Sequence, residues 1–143
     1  MVPVVPPTVL VVDDERDYVD TMALLLQSNG YEVLTAGSGQ SAVNQLRTRA
    51  IDVVLTDLAM PDFDGFRLLD AVRRQPQCCD ALVIAVSGWG GREAAVRCAA
   101  AGFDAFFVKP CNLPDLLWTI GAGLMRVQHH VVVPRAAAGP LMR

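Results

Sequence analysis

The chain has 143 residues, of which 52% are hydrophobic and 19% are charged, and its formal net charge is -3 at pH 7. This length fits one domain with a single core, and this apolar content is not that of a disordered chain. The acidic balance argues against a nucleic-acid-binding domain, which usually carries a basic face, and no apolar run approaches the roughly 20 residues that span a bilayer.

The two ends of the chain predict less regular structure than its middle. Residues 1–7 are apolar, are broken by three prolines and lack a basic leader, which predicts a short extended arm and not a signal peptide. Residues 131–143 are rich in Ala, Pro and Gly, which predicts a loose tail over residues 128–143. The domain is therefore expected within residues 8–127.

The cysteines indicate a reducing compartment. Cys78, Cys79, Cys98 and Cys111 include no CxxC pair, and adjacent cysteines rarely bridge each other. Their spacing does not suit a zinc site. We expect four reduced thiols, as in a cytoplasmic protein.

Short apolar runs alternate with amphipathic stretches along the chain. In chain order, the predicted elements are a strand at Thr8–Val12, a helix from Asp14 as cap to about Asn29, a strand at Tyr31–Ala36, a helix at about Gln40–Thr48, a strand at Ile51–Thr56, a helix at about Gly65–Arg74, a strand at Ala81–Val86, a helix at about Arg92–Ala101, a strand at Ala105–Val108 and a helix that opens with Asn112 as cap. Unbroken β-branched runs fit strands that are covered on both faces. Strict alternation of strands and helices predicts an α/β, doubly wound parallel sheet, whose functional loops lie at the carboxyl ends of the strands.

Polar side chains stand where four of these strands end. Asp13 and Asp14 follow the first strand, Asp57 follows the third, Ser87 the fourth and Lys109 the fifth. Clustered carboxylates raise one another's pKa or recruit a cation, and an all-oxygen site suits Mg²⁺. A carboxylate beside a divalent cation, an ammonium group and a hydroxyl can act as the nucleophile that accepts a phosphoryl group.

Each of these residues also has an ordinary structural explanation. The acidic pair could cap a helix, Asp57 could be a turn residue, Lys109 could be a solvated lysine, and Ser87 before a glycine is a turn signal. Their coincidence at the ends of four different strands favours the functional interpretation.

Four segments in chain order resemble the receiver domains of two-component response regulators: VLVVDDERD, VVLTDLAMPDFDG, AVSGWG and FFVKP. The resemblance covers about Thr8 to Met125 and implies a flavodoxin-like sheet of five strands in the order 2-1-3-4-5. By this resemblance, Asp57 is the phosphoacceptor. Mg²⁺, for which Mn²⁺ can substitute, is then held by Asp13, Asp14, Asp57 and the backbone carbonyl of Ala59.

The resemblance also implies roles around the phosphoacceptor. Lys109 contacts the phosphoryl oxygens and precedes a cis peptide to Pro110, Ser87 is the hydroxyl switch, and Phe106 is the aromatic switch. The implied partners are a histidine kinase or histidine phosphotransfer protein as donor, and a downstream protein bound through the face of the fourth helix, fifth strand and fifth helix. The surface residues proposed for that face are Arg92, Arg97, Phe107 and Leu116. The segment from Ser87 to Gly90 is similar to receivers of hybrid sensor kinases.

Three functions compete at this point. The leading hypothesis is a stand-alone receiver, a signalling domain that assists its own phosphorylation and dephosphorylation but is not an enzyme, because the stretch after the fifth helix is too short for an output domain. The alternative is a receiver-like interaction module that works without phosphorylation, although such modules usually lack an acidic residue or the lysine. The third is a phosphatase, since Asp62 and Asp64 resemble a DxD nucleophile motif, but these residues follow Pro61 in a predicted loop. His129 and His130 stand in the predicted tail and are expected to be solvated.

Overall fold

The computed structural model describes residues 5–128 and contains ten helices and strands in that range. They are β1 (Thr8–Val12), α1 (Arg16–Ser28), β2 (Glu32–Ala36), α2 (Gly39–Thr48), β3 (Val53–Thr56), α3 (Gly65–Arg74), β4 (Leu82–Ser87), α4 (Arg92–Ala101), β5 (Ala105–Val108) and α5 (Leu113–Gln128). Every predicted element is confirmed, with boundaries that differ by one or two residues at most. The prediction of solvated histidines at 129 and 130 lies outside the described residues.

The five strands form one parallel sheet in the order β2-β1-β3-β4-β5. Leu10 of β1 lies beside Leu34 of β2 on one side and Val54 of β3 on the other. After β1, the chain adds β2 on one side of it and β3, β4 and β5 on the other. The strand order therefore reverses between β1 and β3, whose carboxyl ends are neighbours. Ligands of open α/β sheets bind at this kind of switch in strand order.

Helices cover both faces of the sheet and divide the core into two clusters. One cluster lies under α2, α3 and α4 and includes Leu46, Leu68 and Phe103. The other lies under α1 and α5 and includes Leu26 and Ile120. Strand side chains point alternately to the two faces, so β1, β3 and β4 contribute to both clusters. This explains why these strands are continuously apolar and do not alternate with polar residues.

Several helix ends follow local capping chemistry. Asn112 caps α5 as predicted, since its side chain accepts a hydrogen bond from the backbone N–H of Asp115 at 3.0 Å. Gly102 ends α4 in the left-handed region at φ 107°, where glycine is favoured. The prediction that Asp14 caps α1 is wrong: the N-cap is Glu15, and its side chain makes no capping hydrogen bond. Asp14 therefore keeps its carboxylate at the end of β1.

No helix within residues 5–128 is long and apolar enough to cross a membrane. The four cysteines all lie in this range and carry free thiols.

Candidate metal and phosphoryl-acceptor site

Three carboxylates meet where β1 and β3 end. Val12 and Thr56 are paired at the last register position of the two strands, and each strand is followed at once by its acidic residue. The backbone N–H of Asp57 donates to the carbonyl of Val12 at 3.1 Å, which joins the two strand ends. Carboxylate oxygens of Asp13, Asp14 and Asp57 lie within 4.8 Å of one another. The predicted acidic cluster is thus present.

The three carboxylates differ in exposure. Asp13 is 1% exposed and accepts a hydrogen bond from the backbone N–H of Glu15 at 3.0 Å. Asp57 is half-buried, and one of its oxygens accepts from the backbone N–H of Ala59 at 3.4 Å. Asp14 is exposed at the rim of the cluster. An incoming group therefore reaches Asp57 from the solvent side, while Asp13 lies at the floor of the site.

Lys109 connects the fifth strand to the acidic cluster. Its Nζ lies 2.5 Å from Oδ2 of Asp13 and 3.5 Å from Oδ2 of Asp57. Burial lowers the pKa of Lys109, whereas its hydrogen bond to Asp13 and the charges of Asp57 and Asp13 raise it. The raising effects together are larger, so the pKa lies above the ordinary value of 10.5. The lysine is therefore an ammonium ion at neutral pH. The peptide bond between Lys109 and Pro110 is cis, as the resemblance implied.

Tyr18 is a member of this site that the sequence analysis missed. Nζ of Lys109 lies 4.4 Å from the centroid of the Tyr18 ring, a distance at which a cation is attracted to a ring face. Burial, followed by the charges of Cys111 and Asp13, raises the pKa of the Tyr18 phenol well above its ordinary value of 10.0. The sequence signal that could have identified Tyr18 is its place in the first turn of α1, four residues after Asp14.

Ser87 and Phe106 stand on adjacent strands beside the cluster. Ser87 ends β4 and is buried, and its Oγ accepts a hydrogen bond from the backbone N–H of Trp89 at 3.1 Å. Phe106 is 8% exposed and belongs to the core cluster that includes Ala94 of α4. The aromatic ring is therefore already inside the protein in this conformation.

The loop between β3 and α3 approaches the backbone of Asp57 closely. The N–H of Gly65 donates to the carbonyl of Leu58 at 2.9 Å. A Cβ added to Gly65 would lie 2.5 Å from the carbonyl oxygen of Asp57. Glycine is required here because a side chain would push on the end of β3.

The acidic residues of the DxD sequence do not join the cluster. Asp64 caps α3 by accepting from the backbone N–H of Arg67 at 2.8 Å. Asp62 accepts from the backbone N–H groups of Gly39 and Gln40 at the start of α2. Both carboxylates are engaged with helix amino termini, which explains the motif without a hydrolytic role.

Two of the four candidate residues for the partner-binding face are buried, so their proposed place on that surface is wrong. Phe107 is 8% exposed and Leu116 is 0% exposed, because both point into the core under α1 and α5. Arg92 and Arg97 are exposed and remain candidates. Large apolar side chains of α4, β5 and α5 that are exposed include Val96, Val108, Trp118 and Met125.

The fold and the acidic site together define a receiver of two-component signalling systems. The model of the response regulator receiver domain matches residues 9–120, and the chain belongs to this family. Receivers are signalling domains that interact with histidine kinases or phosphotransfer proteins and with downstream effectors.

Among curated proteins, the chain is similar to the sensor histidine kinase RcsC of Salmonella typhi, with 36% identity over 120 residues that cover 84% of this chain and 12% of the relative. It is also similar to the probable transcriptional regulatory protein TcrX of Mycobacterium tuberculosis, with 31% identity over 121 residues that cover 85% of this chain and 51% of the relative. The chain thus spans only part of the length of these two relatives.

Solved structures show the same fold. A CheY-like receiver domain protein from Methanospirillum hungatei superposes with a TM-score of 0.79 at 29% identity, covering 88% of this chain and 99% of that one. The receiver domain of a signal transduction histidine kinase from Syntrophus aciditrophicus gives a TM-score of 0.77 at 25% identity, covering 90% of this chain and 97% of that one.

Proposed function

We propose that Asp57 accepts a phosphoryl group from a phosphohistidine donor in a reaction that requires Mg²⁺. The observation that carries this proposal is the cluster of three carboxylates within 4.8 Å of one another. Together, the three carboxylates and the ammonium group of Lys109 carry two more negative charges than positive ones. A divalent cation would neutralise this excess. An all-oxygen donor set at a solvent-accessible rim fits Mg²⁺, which keeps several of its waters. The backbone carbonyl of Ala59, beside Asp57 in the chain, would complete the set.

The side chains of the site have distinct parts in the transfer. A carboxylate oxygen of Asp57 forms a bond to phosphorus while the bond from phosphorus to the donor imidazole nitrogen breaks, and the imidazole leaves with the electron pair. Lys109 holds the phosphoryl oxygens by its charge, and Asp13 and Asp14 would hold the metal ion. When bound, Mg²⁺ neutralises charge on the phosphoryl oxygens and aligns them for in-line transfer.

Phosphorylation then acts on the conformation of β4 and β5. The Ser87 hydroxyl can bond a phosphoryl oxygen, and Phe106, on the neighbouring strand, is buried in the core beside α4. We infer that the phosphoryl group stabilises this ring-inward conformation relative to others, which is a population shift. The surface that changes is the face of α4, β5 and α5, on which Arg92, Val96 and Val108 are exposed. A downstream protein would bind there.

The chemistry is tested by intact mass after incubation with acetyl phosphate and MgCl₂. The parent protein should gain one phosphoryl group, and Asp57→Asn, which keeps the shape and removes the nucleophile, should gain none. Asp64→Asn is the matched control, because it makes the same change in the next loop and Asn also caps helices well. This variant should be phosphorylated like the parent.

Three results would count against the proposal. A full mass increase in Asp57→Asn would place the nucleophile elsewhere. Undiminished phosphorylation in excess chelator would remove the metal requirement. A parent protein that gains no mass under any of these conditions would favour an interaction module that works without phosphorylation.

A further inference from the structure

Asp62 attaches the loop after the phosphoacceptor to the amino terminus of α2. Its two carboxylate oxygens accept hydrogen bonds from the backbone N–H of Gly39 at 3.3 Å and of Gln40 at 3.2 Å. The next N–H of this turn, that of Ser41, donates to the Oγ of Ser38 at 3.1 Å. These three groups have no partner within the helix itself. The Ser41 N–H is thus paired with the local cap, and the other two N–H groups are paired with Asp62, which belongs to a different loop.

Phe63 makes a second contact between the same loop and the same helix end. A Cβ added to Gly39 would lie 2.2 Å from the nearest Phe63 ring atom, so the ring lies directly against the glycine backbone. The guanidinium of Arg67 lies 4.5 Å from the ring centroid and covers the ring. The loop is therefore held on α2 by both a polar and an apolar contact.

This attachment bears on Ala59, which lies between two fixed parts of the loop. On one side, Leu58 is buried in the core and bonded to Gly65. On the other side, Met60 is buried and Asp62 is bonded to α2. Ala59 itself is exposed. The position of its carbonyl is therefore set by its neighbours, and Asp62 is the nearest residue after Ala59 whose side chain is hydrogen-bonded to α2.

We propose that Asp62 is a positioning residue for the metal site: by holding the loop on α2, it keeps the carbonyl of Ala59 in place and so sets the affinity for Mg²⁺. This inference rests on the proposed function, since the metal site is part of it. Asp62 acts through the backbone and does not itself contact the metal ion or the phosphoryl group. A residue that only capped α2 would change stability and leave the affinity unchanged.

The first test measures the dissociation constant for Mg²⁺ from amide chemical shifts during a titration with MgCl₂. Asp62→Ala should weaken binding about tenfold, the lower end of what is lost when a group that orients a metal ligand is removed. Asp64→Ala is the matched control, because it removes the same charge from the same loop together with the cap of α3, and its affinity should stay near that of the parent. Asp62→Asn keeps one acceptor oxygen and should recover part of the loss.

The second test disturbs the attachment from the side of the helix without changing any charge. Gly39→Ala would displace the Phe63 ring and should also weaken Mg²⁺ binding. Gly37→Ala is its control, because a Cβ there would meet nothing within 4 Å. Hydrogen exchange of the Gln40 amide should accelerate in Asp62→Ala, which checks directly that the contact is lost.

The outcomes separate this inference from the proposed function. If the parent protein showed no saturable binding of Mg²⁺, the metal site and the role of Asp62 would both be wrong. If the parent bound Mg²⁺ but Asp62→Ala bound it equally well, only the positioning role would be wrong. If Asp62→Ala and Asp64→Ala weakened Mg²⁺ binding equally, the loss of one negative charge would explain the effect, and the positioning role would be wrong. Equal affinity in Gly39→Ala and Gly37→Ala would overturn the link through the loop.

Discussion

With Mg²⁺ held by the acidic cluster as proposed, we expect Lys109 to compete with the ion for the same carboxylates. Replacing Lys109 by methionine should therefore strengthen Mg²⁺ binding while it slows phosphorylation. Nζ of Lys109 lies 2.5 Å from Oδ2 of Asp13 and 3.5 Å from Oδ2 of Asp57, which places its charge inside the acidic cluster. Methionine retains a flexible, unbranched side chain that can still lie against Tyr18. Lys109→Met therefore removes mainly the charge.

The size of the effect follows from these distances. Two unit charges 4 Å apart interact by about 1 kcal/mol in bulk water and by about 4 kcal/mol at an effective dielectric constant of 20. The Asp13 side chain is 1% exposed but that of Lys109 is 20% exposed, and Asp14 opens the cluster to water. A value near the lower limit, ~1.4 kcal/mol, corresponds to a dissociation constant about tenfold lower.

Titration calorimetry with MgCl₂ at neutral pH measures this change. Thermal unfolding gives an independent measure, because Lys109→Met should be less stable than the parent without metal and should gain more from added Mg²⁺. Lys109→Arg keeps the charge and should bind Mg²⁺ much as the parent does. An unchanged or weaker affinity in Lys109→Met would refute the competition between lysine and metal.

Three further predictions concern the switch, the loop and the core. Ser87→Ala should still be phosphorylated, but it should lose the phosphorylation-dependent amide shifts around Phe106; parent-like shifts would place the coupling in another residue. Gly65→Ala should press on the carbonyl of Asp57, 2.5 Å from the added Cβ, and lower the free energy of unfolding. The loss should be about 1–3 kcal/mol in urea titrations, and an unchanged midpoint would show that the loop yields freely. Burial raises the pKa of the Cys98 thiol from 9.0 to about 11, so the folded state holds this proton more tightly than the unfolded state. The free energy of unfolding should then fall as pH rises between these values, and an equal slope in Cys98→Ala would contradict this.

Much of the fold could be predicted because its signals are local. β1, β3 and β4 are runs of apolar residues that only a sheet covered on both faces buries, and Gly102 ends α4 through its own backbone freedom. The single wrong cap, Asp14, has a local cause as well. The chain leaves β1 through one more extended residue, Glu15, before the helix begins, and an acidic side chain in either position produces the same sequence pattern.

The carboxylates, the ammonium group and the hydroxyl of the site could be predicted from sequence, because each stands at the end of a recognisable strand. Tyr18 could not, because it lies on a helix and reaches Lys109 only in the folded protein. The packing of the whole domain sets which acidic residue is buried: Asp13, and not Asp14, pairs with Lys109. It also decided that Phe107 points into the core while the next residue, Val108, is exposed. Periodicity and turn chemistry act over a few neighbouring residues, whereas Lys109 and Asp13 are 96 positions apart. Contacts over that separation depend on strand order and on how the helices pack, and no short stretch of sequence contains that information.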